Sequence, residues 1–149
     1  MTSSDLRPRV GLMLGDPTGI GPEVALKLLA RPETHQQARI LVVGDRRLFD
    51  QTARSLGLPL RARLVDPGQP FDWPQPGDPE VVMVDLANMD PAQVRQGAAD
   101  HKIGWLVGET LKVMTDMALA HTIDAVCFAP LNKAAINRGG WQYLDEHAM

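Results

Sequence analysis

Apolar residues in this chain fall into short unbroken runs, separated by stretches in which they recur at helical spacing. Val10 to Leu14 is the first run and ends at Gly15. Arg39 to Val43 is the second, closed by Gly44-Asp45, and Glu80 to Leu86 and Asp124 to Phe128 follow. Runs this short, without polar alternation, are the pattern of strands buried on both faces. From Leu60 to Val65 apolar and basic residues alternate, which fits an edge strand. Helical spacing is carried by Glu23 to Ala30, where Val24/Leu28 and Ala25/Leu29 pair at i, i+4 and Pro22 suits the first turn. Asp45 is placed to cap a helix through Leu48, Thr52 and Leu56, stopped by Gly57 and Pro59. The longest periodic element runs from about Asp100 to His121, with Ile103, Val107, Leu111, Met114 and Met117 on its apolar face. Leu131 to Arg138 reads as a last helix ended by Gly139-Gly140, and the prolines between Asp66 and Pro79 make that stretch a loop.

Strands alternating with helices imply an α/β fold: a mostly parallel sheet with helices on both faces. A length of 149 residues fits one such domain or a piece of something larger, and 44% hydrophobic residues suffice for a core. A net charge of −3, with no Lys/Arg run longer than two, gives no nucleic-acid footprint. The apolar runs are too short for a signal segment or a membrane span, so the expectation is a cytoplasmic protein. The single Cys127 lies in an apolar run and is read as a small buried hydrophobe.

In a parallel sheet, ligands bind beyond the carboxyl ends of the strands. Two turns of unusual composition fall there. In Gly15 to Glu23, Gly19 and Gly21 leave backbone N–H groups accessible, the following helix start favours an anion, and Asp16 and Thr18 add polar atoms. This turn is not a Walker A loop, because Gly15 and Gly21 are six apart and no Lys-Ser/Thr pair follows. It is not a G-x-G-x-x-G fingerprint either, because Val24 takes the third glycine position. In Ala129-Pro-Leu-Asn-Lys133, Asn132 and Lys133 stand at a helix start. A lysine there opposes the helix dipole, and its presence points to phosphate or carboxylate binding or to a solvated surface residue. Asp45, after the second strand, reads as a helix cap or as the acidic residue that grips a ribose in a plain dinucleotide-binding domain.

Taken together, Gly15-Asp-Pro-Thr-Gly-Ile-Gly-Pro-Glu23 and Ala129-Pro-Leu-Asn-Lys133 resemble the signatures of the 4-hydroxythreonine-4-phosphate dehydrogenases, the PdxA family. Gly104 and Glu109 fall in the long helix where that family has a Gly and a Glu. The likeness covers essentially all of this chain and about the first half of a family member, so residues 1–149 would be its N-terminal portion. What the resemblance implies is a fold like that of isocitrate and isopropylmalate dehydrogenases, one domain plus part of a second, in a homodimer with the active site in a cleft. It implies NAD(P)-linked oxidation of a small phosphorylated or carboxylated hydroxy acid, assisted by a divalent metal, and in the best-known branch decarboxylation. The metal-binding histidines and most nicotinamide contacts of that family lie beyond residue 149, and His35, His101 and His121 match none of them. The isolated chain is therefore expected to be inactive.

The resemblance places Asn132 and Lys133 at the substrate and Asp16, Thr18, Gly19 and Gly21 at the cleft. It departs from the family pattern further on. Thirteen residues after the lysine the family has a substrate-holding His-Thr pair; here that place holds Glu146, followed by His147. Either His147 does the work after a one-residue slip, or the pocket presents a carboxylate. A substrate other than 4-phosphohydroxy-L-threonine, such as another sugar-acid phosphate or an aromatic cis-dihydrodiol acid, is the alternative within the family. A non-catalytic half-domain that binds a nucleotide or a partner is the alternative outside it.

Overall fold

A computed structural model of the chain describes residues 5–142. Five parallel strands form one sheet: β1 (Arg9–Met13), β2 (Arg39–Gly44), β3 (Arg61–Leu64), β4 (Glu80–Asp85) and β5 (Ala125–Phe128), in the order β3-β4-β2-β1-β5. The helices are α1 (Gly21–Leu29), α2 (Pro32–Gln37), α3 (Arg46–Leu56), α4 (His101–Leu119) and α5 (Lys133–Arg138). The connections from β1 to β2 and on to β3 move one way across the sheet, and the connection from β4 to β5 moves back. Right-handed crossovers then put α1 and α3 on one face and α4 on the other. The contacts agree: α1 packs on α3, while α4 lies across β1, β2 and β5.

The central strands are buried on both sides, as their unbroken apolar runs require. Leu41, Val42 and Val43 of β2 and Val81, Val82 and Met83 of β4 are all inaccessible, as is Met114 on the inner face of α4. Removing this apolar surface from water, at about 25 cal/mol per Å², is the main source of stability. Packing over Gly11 leaves no room for a side chain, because a Cβ there would lie 2.6 Å from Ile123 Cδ1, just past α4, and 3.1 Å from Met114 Cε of α4. The cap expected at Asp45 is present: its side chain accepts from the Arg47 N–H, and Gly57 ends α3 in the left-handed region at φ 63°. β3 is an edge strand as its alternation predicts, with the Arg63 guanidinium held by Glu80 Oε1 at 2.6 Å and by the Asp72 carbonyl. Between parallel neighbours β3 and β4 the crossover is the proline-rich stretch instead of a helix. It is anchored by Phe71 and Trp73, whose rings sit 4.9 Å apart, and Trp73 also lies under the Arg39 guanidinium.

Three expectations need correction. α2 has no counterpart in the hydrophobic pattern, because none of its residues is buried. On α1 only Ala25, Leu26 and Leu29 of the apolar residues face the core, while Val24 and Leu28 are exposed. Cys127 is exposed, not buried, because β5 is the other edge of the sheet and pairs only with β1. None of the helices among the described residues is long and apolar enough to cross a membrane.

Backbone approach holds α5 on α4. A Cβ at Gly104 would lie 1.9 Å from the Ala135 carbonyl oxygen, and one at Gly139 would lie 2.4 Å from the Trp105 nitrogen. Gly104→Ala is therefore expected to destabilise the chain by about 2 kcal/mol or more through overpacking, read from the midpoint of urea unfolding. An unchanged midpoint would show that the two helices separate freely. At the opposite end of β5, the Arg9 guanidinium and N–H hold the Asp124 carboxyl well down, at about 2. A carboxyl with a lowered folded value stabilises above its unfolded pKa and loses that effect as pH falls to the folded one. Between pH 4 and 2, Asp124→Asn is expected to lose less stability than the wild-type chain, measured by thermal unfolding across that window.

Candidate functional site at the carboxyl rim of the sheet

The carboxyl ends of β1, β2, β4 and β5 form one rim, and both turns singled out by composition lie on it. The chain leaves β1 through Gly15, which stands at φ 83°, so any side chain would be strained there. A Cβ at that position would also lie 2.9 Å from both the Ala129 Cβ and the Pro130 carbonyl oxygen. The Asp16 N–H donates to the Pro130 carbonyl at 3.1 Å. The two turns, distant in sequence, are thus joined backbone to backbone. Gly21 is a second close approach, since its Cβ would meet the Leu14 carbonyl oxygen at 2.8 Å.

Asp16 and Thr18 are almost wholly buried, at 3% and 5% exposure. Asp16 Oδ1 accepts from the Thr18 N–H at 2.8 Å and from the Thr18 hydroxyl at 2.7 Å, which closes the turn. Asp16 Oδ2 is buried and has no partner. Gly19 is exposed and its N–H donates to the Asp16 carbonyl, so only part of the turn's backbone remains open. The residue capping α1 is Ile20, which offers no side-chain acceptor to the first turn. A cleft of about 280 Å³ runs between α1 and α3 past Pro17, Gly19, Glu23, Gln51 and Gln96.

On the β5 side, Asn132 is the cap of α5: its Oδ1 accepts from the Ala135 N–H at 3.0 Å, so that oxygen is already used. Lys133 is the first residue of α5 and is exposed. Glu146 and His147 lie outside the described residues.

Asp45 is saturated. Its carboxylate accepts from the Arg47 N–H, from the Arg47 guanidinium at 2.7 Å and from the Met89 N–H at 2.7 Å, while 2% exposed. Burial would raise its pKa, but these hydrogen bonds outweigh it and hold the carboxyl below its ordinary value. A carboxylate so occupied has no oxygen free for a ribose hydroxyl, which removes the residue that a plain dinucleotide-binding reading relied on. No group of three His, Cys, Asp or Glu among the described residues is placed to hold a metal ion.

Two parts of the rim were not foreseen. Asn88, just beyond β4, donates from Nδ2 to the Thr110 hydroxyl, and its Oδ1 is buried without a partner. Asn88 lies three residues past the end of β4, at the same carboxyl rim as the other two turns. A strap over residues 95–99 is the other: the Gly97 N–H donates to the Thr18 carbonyl at 2.7 Å and Gln96 Nε2 to the Pro17 carbonyl at 2.9 Å. Its contacts run to main-chain carbonyls, and no side-chain pattern signals them.

Asp45→Ala is expected to cost about 2–3 kcal/mol, through a lost helix cap and a buried Met89 N–H left unpaired. Denaturant unfolding measures this; a cost below half a kcal/mol would show that the rim does not depend on Asp45.

Known proteins resemble this chain over the same region. The family described as pyridoxal phosphate biosynthetic protein PdxA matches residues 36–149. A candidate 4-hydroxythreonine-4-phosphate dehydrogenase of Rhizobium meliloti (strain 1021) is 37% identical over 146 residues, covering 97% of this chain and 40% of its own length. The D-threonate 4-phosphate dehydrogenase of Cupriavidus necator is 34% identical over 144 residues, 94% of this chain and 41% of its own length. The crystal structure of a 4-hydroxythreonine-4-phosphate dehydrogenase from Burkholderia phymatum superposes with a TM-score of 0.85 at 28% identity, over 97% of this chain and 42% of that one. The chain thus spans about 40% of the length of the curated relatives it matches.

Proposed function

The chain belongs to the PdxA family, and from that premise we propose that it forms the N-terminal part of an NAD(P)-linked dehydrogenase. The substrate is a phosphorylated hydroxy acid, either 4-phosphohydroxy-L-threonine or a sugar-acid phosphate such as D-threonate 4-phosphate. The observation that carries this reading is the seam between the two turns, where the Asp16 N–H meets the Pro130 carbonyl at the carboxyl rim. It puts the Gly15–Gly21 turn and the start of α5 side by side, where an α/β sheet receives ligands.

In this reading the chain's own residues bind and orient. Lys133, exposed at the head of α5, is the cation for a phosphate or carboxylate oxygen. Asn132 holds the first turn of α5 in place through its cap. Asp16, Thr18, Gly19 and Gly21 form the facing wall, and Glu146 or His147 completes the substrate contacts. A bound nicotinamide would supply the hydride acceptor for oxidation of the carbinol, and a base would take the hydroxyl proton. In the family reading a divalent metal, when bound, stabilises the oxygen on which charge develops. In the same reading both groups would be held outside residues 1–149, as the resemblance implies. In the family reading the working form is a homodimer in the cytoplasm.

Reconstitution tests the assignment. This chain is mixed with the C-terminal remainder of the Cupriavidus necator relative, and NAD(P) reduction is followed with D-threonate 4-phosphate and with 4-phosphohydroxy-L-threonine. Turnover is expected only when both pieces are present. Lys133→Ala should lower kcat/KM about ten- to a hundredfold, the worth of a charge-assisted hydrogen bond. Turnover by the isolated chain would overturn the division of labour. A stable reconstituted pair that oxidises neither compound would overturn the assignment itself.

A further inference from the structure

We propose that the open edge of β5 and the bare strip of sheet beside α1 dock the C-terminal portion carried by the longer members of the family. That portion lays a strand along β5 and a helix over Ala125 and Cys127, against Val24 and Leu28. The occupant rests on the dehydrogenase reading above; the surface rests on the sheet and its helices.

Residues paired in register on parallel strands point to the same face of a sheet. A Cβ on Gly11 would meet Met114 of α4, so Gly11 and its partner Val126 face α4. Ala125 and Cys127, paired with Val10 and Leu12, therefore face the α1 side. Both are exposed, because no described helix lies over them. The flank of α1 turned toward this strip is apolar as well. Glu23 lines the cleft between α1 and α3. Val24 lies about 100° further round the helix, and Leu28 shares its flank at i, i+4; both are exposed. α3 runs from β2 past β4 to β3, so the flank of α1 away from it looks toward β1 and β5. The result is a trough with Ala125 and Cys127 as its floor and Val24 and Leu28 as its wall. Its outer side is the unpaired edge of β5. The Asp124 N–H donates inward to the Arg9 carbonyl, so the alternate amides, those of Ala125 and Cys127, point outward.

A parallel sheet is covered on both faces, and a bare edge is a template for another strand. The other edge strand, β3, is defended by Arg61 and Arg63, whereas β5 has no charge. The surface therefore calls for a strand and a helix together. A second copy joined edge to edge would supply the strand alone, because its own α1 would lie over its own β1, beyond its own bare strip. The longer relatives have chain enough for both: residues 1–149 span about 40% of their length, so the larger part of each lies outside the matched region. The direction of the chain agrees. α4 carries it outward from β4 to β5, α5 packs on α4, and a right-handed connection on that same face leads on to a position beyond β5.

Cys127 is a built-in reporter. The chain is mixed with the C-terminal remainder of the Cupriavidus necator relative. Alkylation of Cys127 by N-ethylmaleimide is followed by peptide mass spectrometry, alongside amide exchange at Ala125 and Cys127. Both are expected to slow about tenfold or more in the pair. Val24→Glu and Leu28→Lys alter residues already exposed in this chain, so its thermal midpoint should hold. Each should weaken the pair about ten- to a hundredfold, the worth of burying one aliphatic side chain. Gln51→Glu, exposed on α3 away from the trough, should leave the affinity unchanged. The same remainder fused after residue 149 gives a second readout where the separate pieces bind too weakly to measure. Three outcomes would overturn the proposal: Cys127 alkylated as fast in the fused protein as in the isolated chain, unchanged affinity in both α1 variants, or equal protection of Cys127 in the chain alone at high concentration. A protected Cys127 in a pair that oxidises neither phosphate would sink the dehydrogenase assignment and leave the docking surface standing. Turnover with Cys127 freely alkylated would do the reverse.

Discussion

The contact on which the site depends is the seam between Gly15-Asp16 and Ala129-Pro130. β1 and β5 are neighbours in register, Met13 beside Phe128, so the chain leaves both strands at almost the same point. From there it must part, because α1 packs with α3 and α5 packs with α4 on the opposite face. Two chains that start in contact and then diverge leave a crevice between them, which is why such points bind ligands in α/β sheets. Gly15 makes the contact possible by taking a left-handed conformation and by presenting no Cβ to Pro130. The Asp16 N–H then fastens it.

Much of this arrangement was legible in the residues, and what was not has physical causes. β2 and β4 announce themselves because their stretches covered on both faces, Ile40–Val43 and Val81–Val84, are wholly apolar. α3 announces both its ends, through a capping Asp45 and a left-handed Gly57. α2 is silent because a helix that buries nothing has no apolar period. β5 misleads because a run such as Ala-Val-Cys-Phe shows that a strand is apolar, not whether another strand lies beside it. The strap over residues 95–99 is invisible for a different reason: it binds the turn mainly through backbone groups that every residue has. Asp45 had two readings that no pattern could separate, and only a census of what its oxygens accept decides between them.

That census also sets Asp16 apart from the other acidic residues. Asp66, Asp85, Asp90 and Asp100 each accept from a backbone N–H two residues on, the ordinary use of aspartate at turns and helix starts. Asp45 does the same and engages its second oxygen as well. Asp16 begins in the same way, with Oδ1 on Thr18, and stops halfway. Exposed aspartates can leave an oxygen to water at no cost. Asp16, at 3% exposure, cannot, and the idle oxygen lies where the fold brings its two conspicuous turns together.

The two sheet edges show how precision at the rim is maintained. β3 carries Arg61 and Arg63, charged residues that discourage further pairing. β5 carries no charge and is held by the sheet on one side only, yet it leads directly into Lys133. Its position is set instead by contacts at its ends and beyond it. Arg9 and Asp124 exchange main-chain and side-chain hydrogen bonds at its start, and Pro130 is fastened to Asp16 past its finish. Gly104 lets α4 lie against the Ala135 carbonyl one turn into α5. The anchors at Pro130 and Ala135 are backbone-to-backbone. Such contacts tolerate exchange of neighbouring side chains and fail on the addition of a single Cβ, so the geometry around Lys133 hangs on Gly15 and Gly104 more than on any polar residue of the site.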